Sequence, residues 1–395
     1  MKIAVVTHFY PPEAGAGALR VRTLAEALEA AGHDVTVVTS FPSFPRGRFA
    51  DSHRPFVRVE NAGQRLRVVR LFSLLLPGLP GSRLLHWLTA ALSASLYLTG
   101  TRARYDVVVM SSPPITVAFP ALVGAARHRA RLVVDVRDVF PDIAVQMGVW
   151  KSGSPIVRLV ERLVRRLYRR ADLVVVVTPT ALAQIAQRGV PPERLVLARN
   201  AAERIALTLE PAPRDGTFTA VYAGNLGLTT DVDVLIDAAK LVAQDGITIE
   251  IVGDGAQRAH LRERLERENV ANVRVTGSLP RQEAMARVAS ADVAVIPLRK
   301  GIEESIPTKL YDALSVGCPA IVAAGGEARN EGTSLGAICT PPGDAYALAG
   351  ELRQLSLVDK RALRDLGDQG KARIADRADR SGIMAELAVR IAALC

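Results

Sequence analysis

Short apolar runs of about five residues alternate with amphipathic stretches along almost the whole chain, and the pattern is laid down twice. Strand-like runs fall at 3–7, 35–39, 68–71, 107–111, 132–135 and 173–178. After a break they resume at 219–222, 248–252, 273–276, 293–297 and 320–323. Helix-patterned segments sit between most of them, at 18–31, 115–127, 180–188, 233–244, 257–269, 281–289 and 309–316. Alternation of this kind predicts an α/β chain with parallel sheets flanked by helices. Its repetition predicts two Rossmann-like, doubly wound domains, with ligands in the crevice at the carboxyl ends of the strands.

A length of 395 residues suits two cores better than one. The polar stretch 199–215, with Pro211, Pro213 and then Gly216, is the expected boundary. It gives an N-terminal domain over 1–199, a C-terminal domain over 200–375 and a terminal helix over 376–395 that could cross back to the first domain. With 49% hydrophobic and 23% charged residues, the composition is that of a folded chain and excludes disorder. Three scattered cysteines, Cys318, Cys339 and Cys395, match neither a disulfide framework nor a metal-ligand spacing. A strand beginning at Lys2 leaves no room for a signal peptide, so a cytoplasmic protein is expected.

The net charge of +10 is unevenly spread. Residues 1–200 carry 27 Lys and Arg against 13 Asp and Glu, a balance of +14; the rest carry 23 against 27, a balance of −4. A basic half implies a polyanionic partner. No aromatic interleaving or nucleic-acid module accompanies the arginines, so nucleic acid ranks last and an anionic membrane surface first. Two segments support that order. Residues 84–98 are nearly uncharged, with Leu84, Trp87, Leu88, Ala91, Leu92 and Leu96 at helical spacing, yet are too short to span a bilayer. Residues 156–170 set Ile156, Leu159, Val160, Leu163 and Leu167 on one face and six arginines around the rest, the make-up of a helix lying on anionic lipid.

The most informative segment is 303–324. Glu304 and Asp312 stand eight residues apart around an expected helix start, with Pro307, Thr308, Lys309 and Leu310 between them. Free amides and positive dipole potential at a helix mouth suit a phosphate. The layout fits a sugar nucleotide: amides and Lys309 on the diphosphate, one carboxylate on the ribose and the other on the sugar.

Four further constellations are expected at the same sheet edges. Gly15 and Gly17 follow the first strand, as a ligand-facing turn or simply a tight one. Arg137 and Asp138 follow another strand; Asp138 could hold sugar hydroxyls and Arg137 a charged group, or the two could form a structural ion pair. Gly224 and Asn225 open the second domain as an anion seat. Gly253 and Asp254, with Ser278 and Leu279, form loops whose amides could read a flat base. His8, at the end of the first strand, is expected to be structural.

In this order the motifs resemble the family 4 glycosyltransferases, retaining enzymes of the GT-B fold, and most closely the bacterial branch that builds O-antigen, capsule or exopolysaccharide. The resemblance runs from Pro-Pro-Glu and the glycine turn at 11–17 through Gly-His-Asp-Val-Thr-Val-Val-Thr at 32–39, Ser-Ser-Pro-Pro at 111–114 and Asp-Val-Phe-Pro-Asp at 138–142. It continues through Ala-Gly-Asn-Leu-Gly, Gly-Asp-Gly and Ala-Asp-Val-Ala-Val-Ile-Pro at 291–297 to Pro-Thr-Lys-Leu-Tyr-Asp.

The family's Glu-x7-Glu signature maps onto Glu304 and Asp312. That match implies a ribose contact for Asp312 and a sugar or charge-stabilising role for Glu304, with Lys309 and Asp138 completing the catalytic set. It also implies a UDP-sugar donor, possibly N-acetylated in its sugar, a polyprenyl-diphosphate-linked or other saccharide acceptor, no cofactor and no metal. The protein would sit peripherally on the inner face of the plasma membrane. A same-fold UDP-sugar 2-epimerase and a non-catalytic sugar-nucleotide-binding subunit are the alternatives.

The chain departs from the family pattern in two places. The second signature carboxylate is Asp312, one methylene shorter than the family's Glu. Asn225 and uncharged residues near 228–230 stand where many members carry a phosphate-binding Arg and Lys. Lys309 must then neutralise the leaving diphosphate, with Arg137, Arg199 and Arg299 as candidate phosphate or acceptor contacts.

Overall fold

The computed structural model describes residues 1–13, 15–43, 47–79, 81–202, 216–377 and 379–395. It divides into two compact units, one comprising Met1–Arg199 with Ser381–Cys395 and the other Asn200–Arg380. Most of the expected boundary stretch, from 203 to 215, lies outside the described residues.

The first unit holds an eight-stranded sheet of β1 (Lys2–Thr7), β2 (Asp34–Ser40), β3 (Val57–Asn61), β4 (Leu66–Leu71), β5 (Val107–Ser112), β6 (Arg131–Val136), β7 (Leu173–Val176) and β8 (Leu195–Leu197). The order is β3-β4-β2-β1-β5-β6-β7-β8. Its helices are α1 (Ala16–Ala30), α2 (Ser82–Gly100), α3 (Ala118–His128), α4 (Asp142–Gln146), α5 (Pro155–Arg170) and α6 (Pro179–Gln187).

Along β1 successive residues serve opposite cores. Ile3 and Val5 join Leu24 and Leu28 of α1, whereas Ala4 and Val6 join Leu98 of α2. Burial on both faces is why these strands read as unbroken apolar runs. Each fully buried Val, Leu or Ile contributes about 1.5–3 kcal/mol relative to leaving it in water.

Strand β3 was not anticipated and is antiparallel to β4, so this sheet is mixed rather than wholly parallel. It forms the sheet edge, where its Val-Arg-Val-Glu-Asn residues are only partly covered and need no continuous apolar run. The three-residue β8 at the other edge also escaped the pattern.

The second unit holds β9 (Phe218–Ala223), β10 (Ile247–Val252), β11 (Val273–Gly277), β12 (Val293–Pro297), β13 (Ala320–Ala323) and β14 (Ile338–Thr340). They lie in the order β11-β10-β9-β12-β13-β14 with every pairing parallel. Its helices are α7 (Val232–Leu241), α8 (Arg258–Arg267), α9 (Arg281–Ser290), α10 (Thr308–Ser315), α11 (Gly326–Leu335), α12 (Ala345–Ser356) and α13 (Lys360–Arg377). The last helix, α14 (Arg380–Ala392), buries Met384, Leu387, Ala388 and Ile391 in the α1-side core of the first unit.

Strand order reverses at β1/β5 in one sheet and at β9/β12 in the other. The carboxyl ends at these switch points are where doubly wound sheets bind ligands. Among the described residues, no helix is long and apolar enough to cross a membrane.

Candidate active site

In the second unit the chain leaves β9 at Gly224, whose amide donates to the Val252 carbonyl at 2.8 Å. The following loop is held from three sides. The Tyr222 hydroxyl donates to the Asn225 carbonyl at 2.6 Å, and the Leu226 amide to the Asp254 carbonyl at 2.9 Å. The Gln257 amide side chain donates to the carbonyls of Gly227 and Thr230, the latter at 2.8 Å. Gln257 in turn accepts from Arg299 Nη2 at 3.0 Å. Arg299 is thereby tied to the loop after β9, and its amide donates to Thr229 at 2.9 Å.

Two glycines here are dictated by backbone packing. A Cβ on Gly253 would lie 1.9 Å from the Gly224 carbonyl oxygen, and one on Gly255 would lie 2.6 Å from that of Leu226. Contact between the loops after β9 and β10 thus explains the Gly-Asp-Gly without recourse to a ligand. Asp254 accepts from Arg258 Nη1 at 2.5 Å and from the Gly255 amide at 2.8 Å. Ser278 is exposed and Leu279 half-buried in the loop after β11.

Helix α10 starts at Thr308, with Pro307 as its N-cap residue and no side chain capping it. Its first-turn amides thus have no side-chain cap. Lys309 lies across the start of the β9 loop. Its Cε would be 2.2 Å from a Cβ on Gly224, and its Nζ sits 5.4 Å from the centre of the Tyr222 ring.

Asp312, one turn on, pairs with Arg281 Nη2 at 3.0 Å. Glu304 is half-buried in the segment before the helix. It therefore precedes the helix, which begins at Thr308, so Glu304 and Asp312 do not share a helical face. The structure brings together Gly224, Asn225, Gly253, Asp254, Lys309 and Arg299 around the β9 edge, with Asp312 one turn along α10.

In the first unit Gly15 is the N-cap residue of α1. A Cβ on Gly17 would lie 1.6 Å from Arg137 Nη1, so that glycine makes room for a guanidinium. Arg137 is fixed by the carbonyls of Ser112, at 3.1 Å from Nε, and Pro113, at 2.9 Å from Nη2. Burial pushes the Asp138 carboxyl above the ordinary range, and neighbouring Arg137 pulls the other way. The buried ion pair in this region is a different one. Arg20 Nη2 meets Asp135 Oδ1 at 2.8 Å, and the Ser111 hydroxyl donates to Asp135 at 2.9 Å. Arg199 offers its carbonyl to Arg20 Nη1 at 3.4 Å.

His8, His86, Ser43 and Glu13 form a further cluster. The two imidazoles meet edge to face with centres 4.7 Å apart, and Ser43 Oγ lies 3.3 Å from His86 Nε2. The Ser43 amide donates to Glu13 Oε1 at 2.8 Å. Burial lowers His8 to about 3 and His86 to about 4, so both rings are neutral at pH 7. Sequence reasoning did not single out His86 or Arg281. His86 hides in an apolar stretch, and Arg281 stands 31 residues from its partner, beyond any local spacing rule.

Residues 15–201 match the family described as "Glycosyl transferase 4-like domain" and residues 217–357 that described as "Glycosyl transferases group 1". The chain is 29% identical over 301 residues to a probable glycosyltransferase, WbjE, of Pseudomonas aeruginosa, covering 71% of this chain and 74% of that protein. It is 24% identical over 385 residues to a putative colanic acid biosynthesis glycosyl transferase, WcaI, of Escherichia coli, covering 91% and 93%. Its fold matches that of Anabaena HepE, solved in complex with UDP and glucose, with a TM-score of 0.71, 16% identity and 100% of both chains covered. Two matched domains in series, each built on its own parallel-dominated α/β sheet, place this chain among the family 4 glycosyltransferases of the GT-B fold.

Proposed function

We propose that this glycosyltransferase moves a hexosyl or N-acetylhexosaminyl group from a UDP-sugar to a polyprenyl-diphosphate-linked saccharide, with retention, without a metal, in bacterial surface-polysaccharide assembly. The observation that carries the donor reading is the position of Lys309. Its ammonium stands at the β9 edge beside Gly224, next to the uncapped start of α10, where an anion would meet both. The likeness to HepE, crystallised with UDP, supports uridine as the base, and the likeness to WcaI supports a polysaccharide product.

Departure of UDP would leave oxocarbenium character on the sugar. The acceptor hydroxyl would attack on the same face, with a leaving-phosphate oxygen taking its proton. Lys309 and the helix amides would stabilise the leaving diphosphate, Glu304 the developing positive charge, and Asp312 would hold the ribose. The acceptor would bring the protein to an anionic membrane surface.

The test is transfer from radiolabelled UDP-sugars to lipid-linked acceptor in the presence of EDTA. Glu304→Ala and Lys309→Ala should each lower kcat by about 10²–10³-fold, the scale of one lost charge-stabilising group, with the thermal transition unchanged. Wild-type turnover in both variants would overturn the site. Conversion of the donor without any acceptor would instead identify an epimerase.

A further inference from the structure

Helix α2 carries Leu84, Leu88, Leu92 and Leu96 at every fourth position, each between 52 and 55% exposed. They form a stripe about 18 Å long on one side of the helix. The side that packs on the sheet is made instead by Ala94 and Leu98. The loop leading into α2 extends the stripe with exposed Leu74, Leu76 and Leu79. That loop is built, since the Leu74 amide donates to Thr89 Oγ1 at 3.0 Å and the Leu76 amide to Ser82 Oγ at 2.8 Å.

Helices α3, α5 and α6 cover the same face of the sheet, through Ala121, through Val164, Leu167 and Tyr168, and through Ala181 and Ile185. The expected single apolar face of α5 is therefore divided. Leu167 goes to the core beside Val164 and Tyr168, which lay outside that expectation, Val160 packs against the core half-buried, and Ile156, Leu159 and Leu163 remain exposed on one flank. The opposite flank carries Glu161, which pairs with Arg188 at the end of α6. The exposed flank must then face the α3 and α2 side, where Phe119 is also exposed. Arg158, Arg162, Arg165, Arg166 and Arg169 point outward from α5. An apolar surface of this extent, rimmed by cations, is more than a solvated face requires.

We infer that the α2 stripe with its 74–79 loop is a shallow insertion edge for an anionic lipid leaflet, and that the outward arginines of α5 are its headgroup contacts. Charge complementarity selects this occupant. A second copy meeting the same face about a twofold axis would bring the arginine rows together, which like charges oppose. The inference rests on the proposed function only for the identity of the acceptor that such docking would serve.

Co-sedimentation of the full chain with phosphatidylglycerol vesicles and with phosphatidylcholine vesicles tests it. Binding should be at least tenfold stronger to phosphatidylglycerol. Leu88→Glu/Leu92→Glu should lower that binding at least tenfold, and Arg162→Glu/Arg166→Glu should abolish the preference for the anionic lipid. Absence of wild-type binding, or unchanged binding by the leucine variant, would overturn the inference. So would a concentration-dependent dimer in light scattering that the leucine variant dissolves while vesicles bind neither. UDP-induced thermal shift on the same samples reads the donor site separately. Vesicle binding without a UDP response would fault the donor reading alone, and the reverse would fault this one alone.

Discussion

Lys309 and Gly224 are coupled by space as much as by charge. A methyl at position 224 would land 2.2 Å from Lys309 Cε. That stem is flexible and can swing away, but the backbone at 224 stands at φ 149°, where a side chain is strained whatever the space. Gly224→Ala should therefore lower the thermal transition modestly and lower kcat/KM about tenfold or more by moving the ammonium. Gly253→Ala differs, because its methyl would meet the Gly224 carbonyl oxygen at 1.9 Å and backbone cannot swing. Overpacking of this kind costs about 1–3 kcal/mol, which denaturant titration would read directly. His8 and His86 make a second residue-scale case. Their folded pKa values, about 3 and about 4, lie below the ordinary 6.5. The unfolded chain then binds more protons below pH 6.5. Stability is full above that value and falls as pH drops toward 4, by up to about 1.4 kcal/mol per pH unit for each ring. Urea unfolding of the first unit at pH 7.5 and 5.5 should show this loss, and His86→Gln should reduce it.

Among the elements, α10 shows what a local pattern can and cannot announce. Pro-Thr-Lys-Leu reads as a helix start, because proline fixes φ and lacks the amide a helix interior needs, and α10 does begin beside Pro307. The same pattern says nothing of Arg281, which reaches Asp312 from the start of α9. That pair is partly exposed, so its own contribution to stability is small. Arg281→Ala should therefore raise the donor KM less than tenfold with kcat nearly unchanged, whereas Arg281→Lys should restore part of the affinity. Steady-state kinetics with varied UDP-sugar would separate these outcomes. Helix α5 gives the matching lesson for burial. Of the expected face of Ile156, Leu159, Val160, Leu163 and Leu167, only Leu167 is buried, beside Val164 and Tyr168, which the pattern left outside that face.

On the scale of the whole molecule, the chain completes its second sheet and then returns α14 to the first unit's core. Met384, Leu387, Ala388 and Ile391 are at most 2% exposed there. Deleting residues 381–395 should therefore destabilise the first unit by several kcal/mol, from about 1.5–3 kcal/mol for each large buried side chain. Calorimetry should show its transition moving down while that of the second unit stays. The sequence by itself determined the α/β class, the doubling, most strands and the Lys309 helix start. Periodicity and proline act within a few residues and need no distant partner. Only the tertiary structure decided that Gly17 makes room for Arg137, that Asp312 meets Arg281, that His86 meets His8 edge to face, and which leucines of α2 stay outside. Each of those depends on which side chains from distant parts of the chain arrive at the same place, and spacing along the sequence does not encode that distance in space.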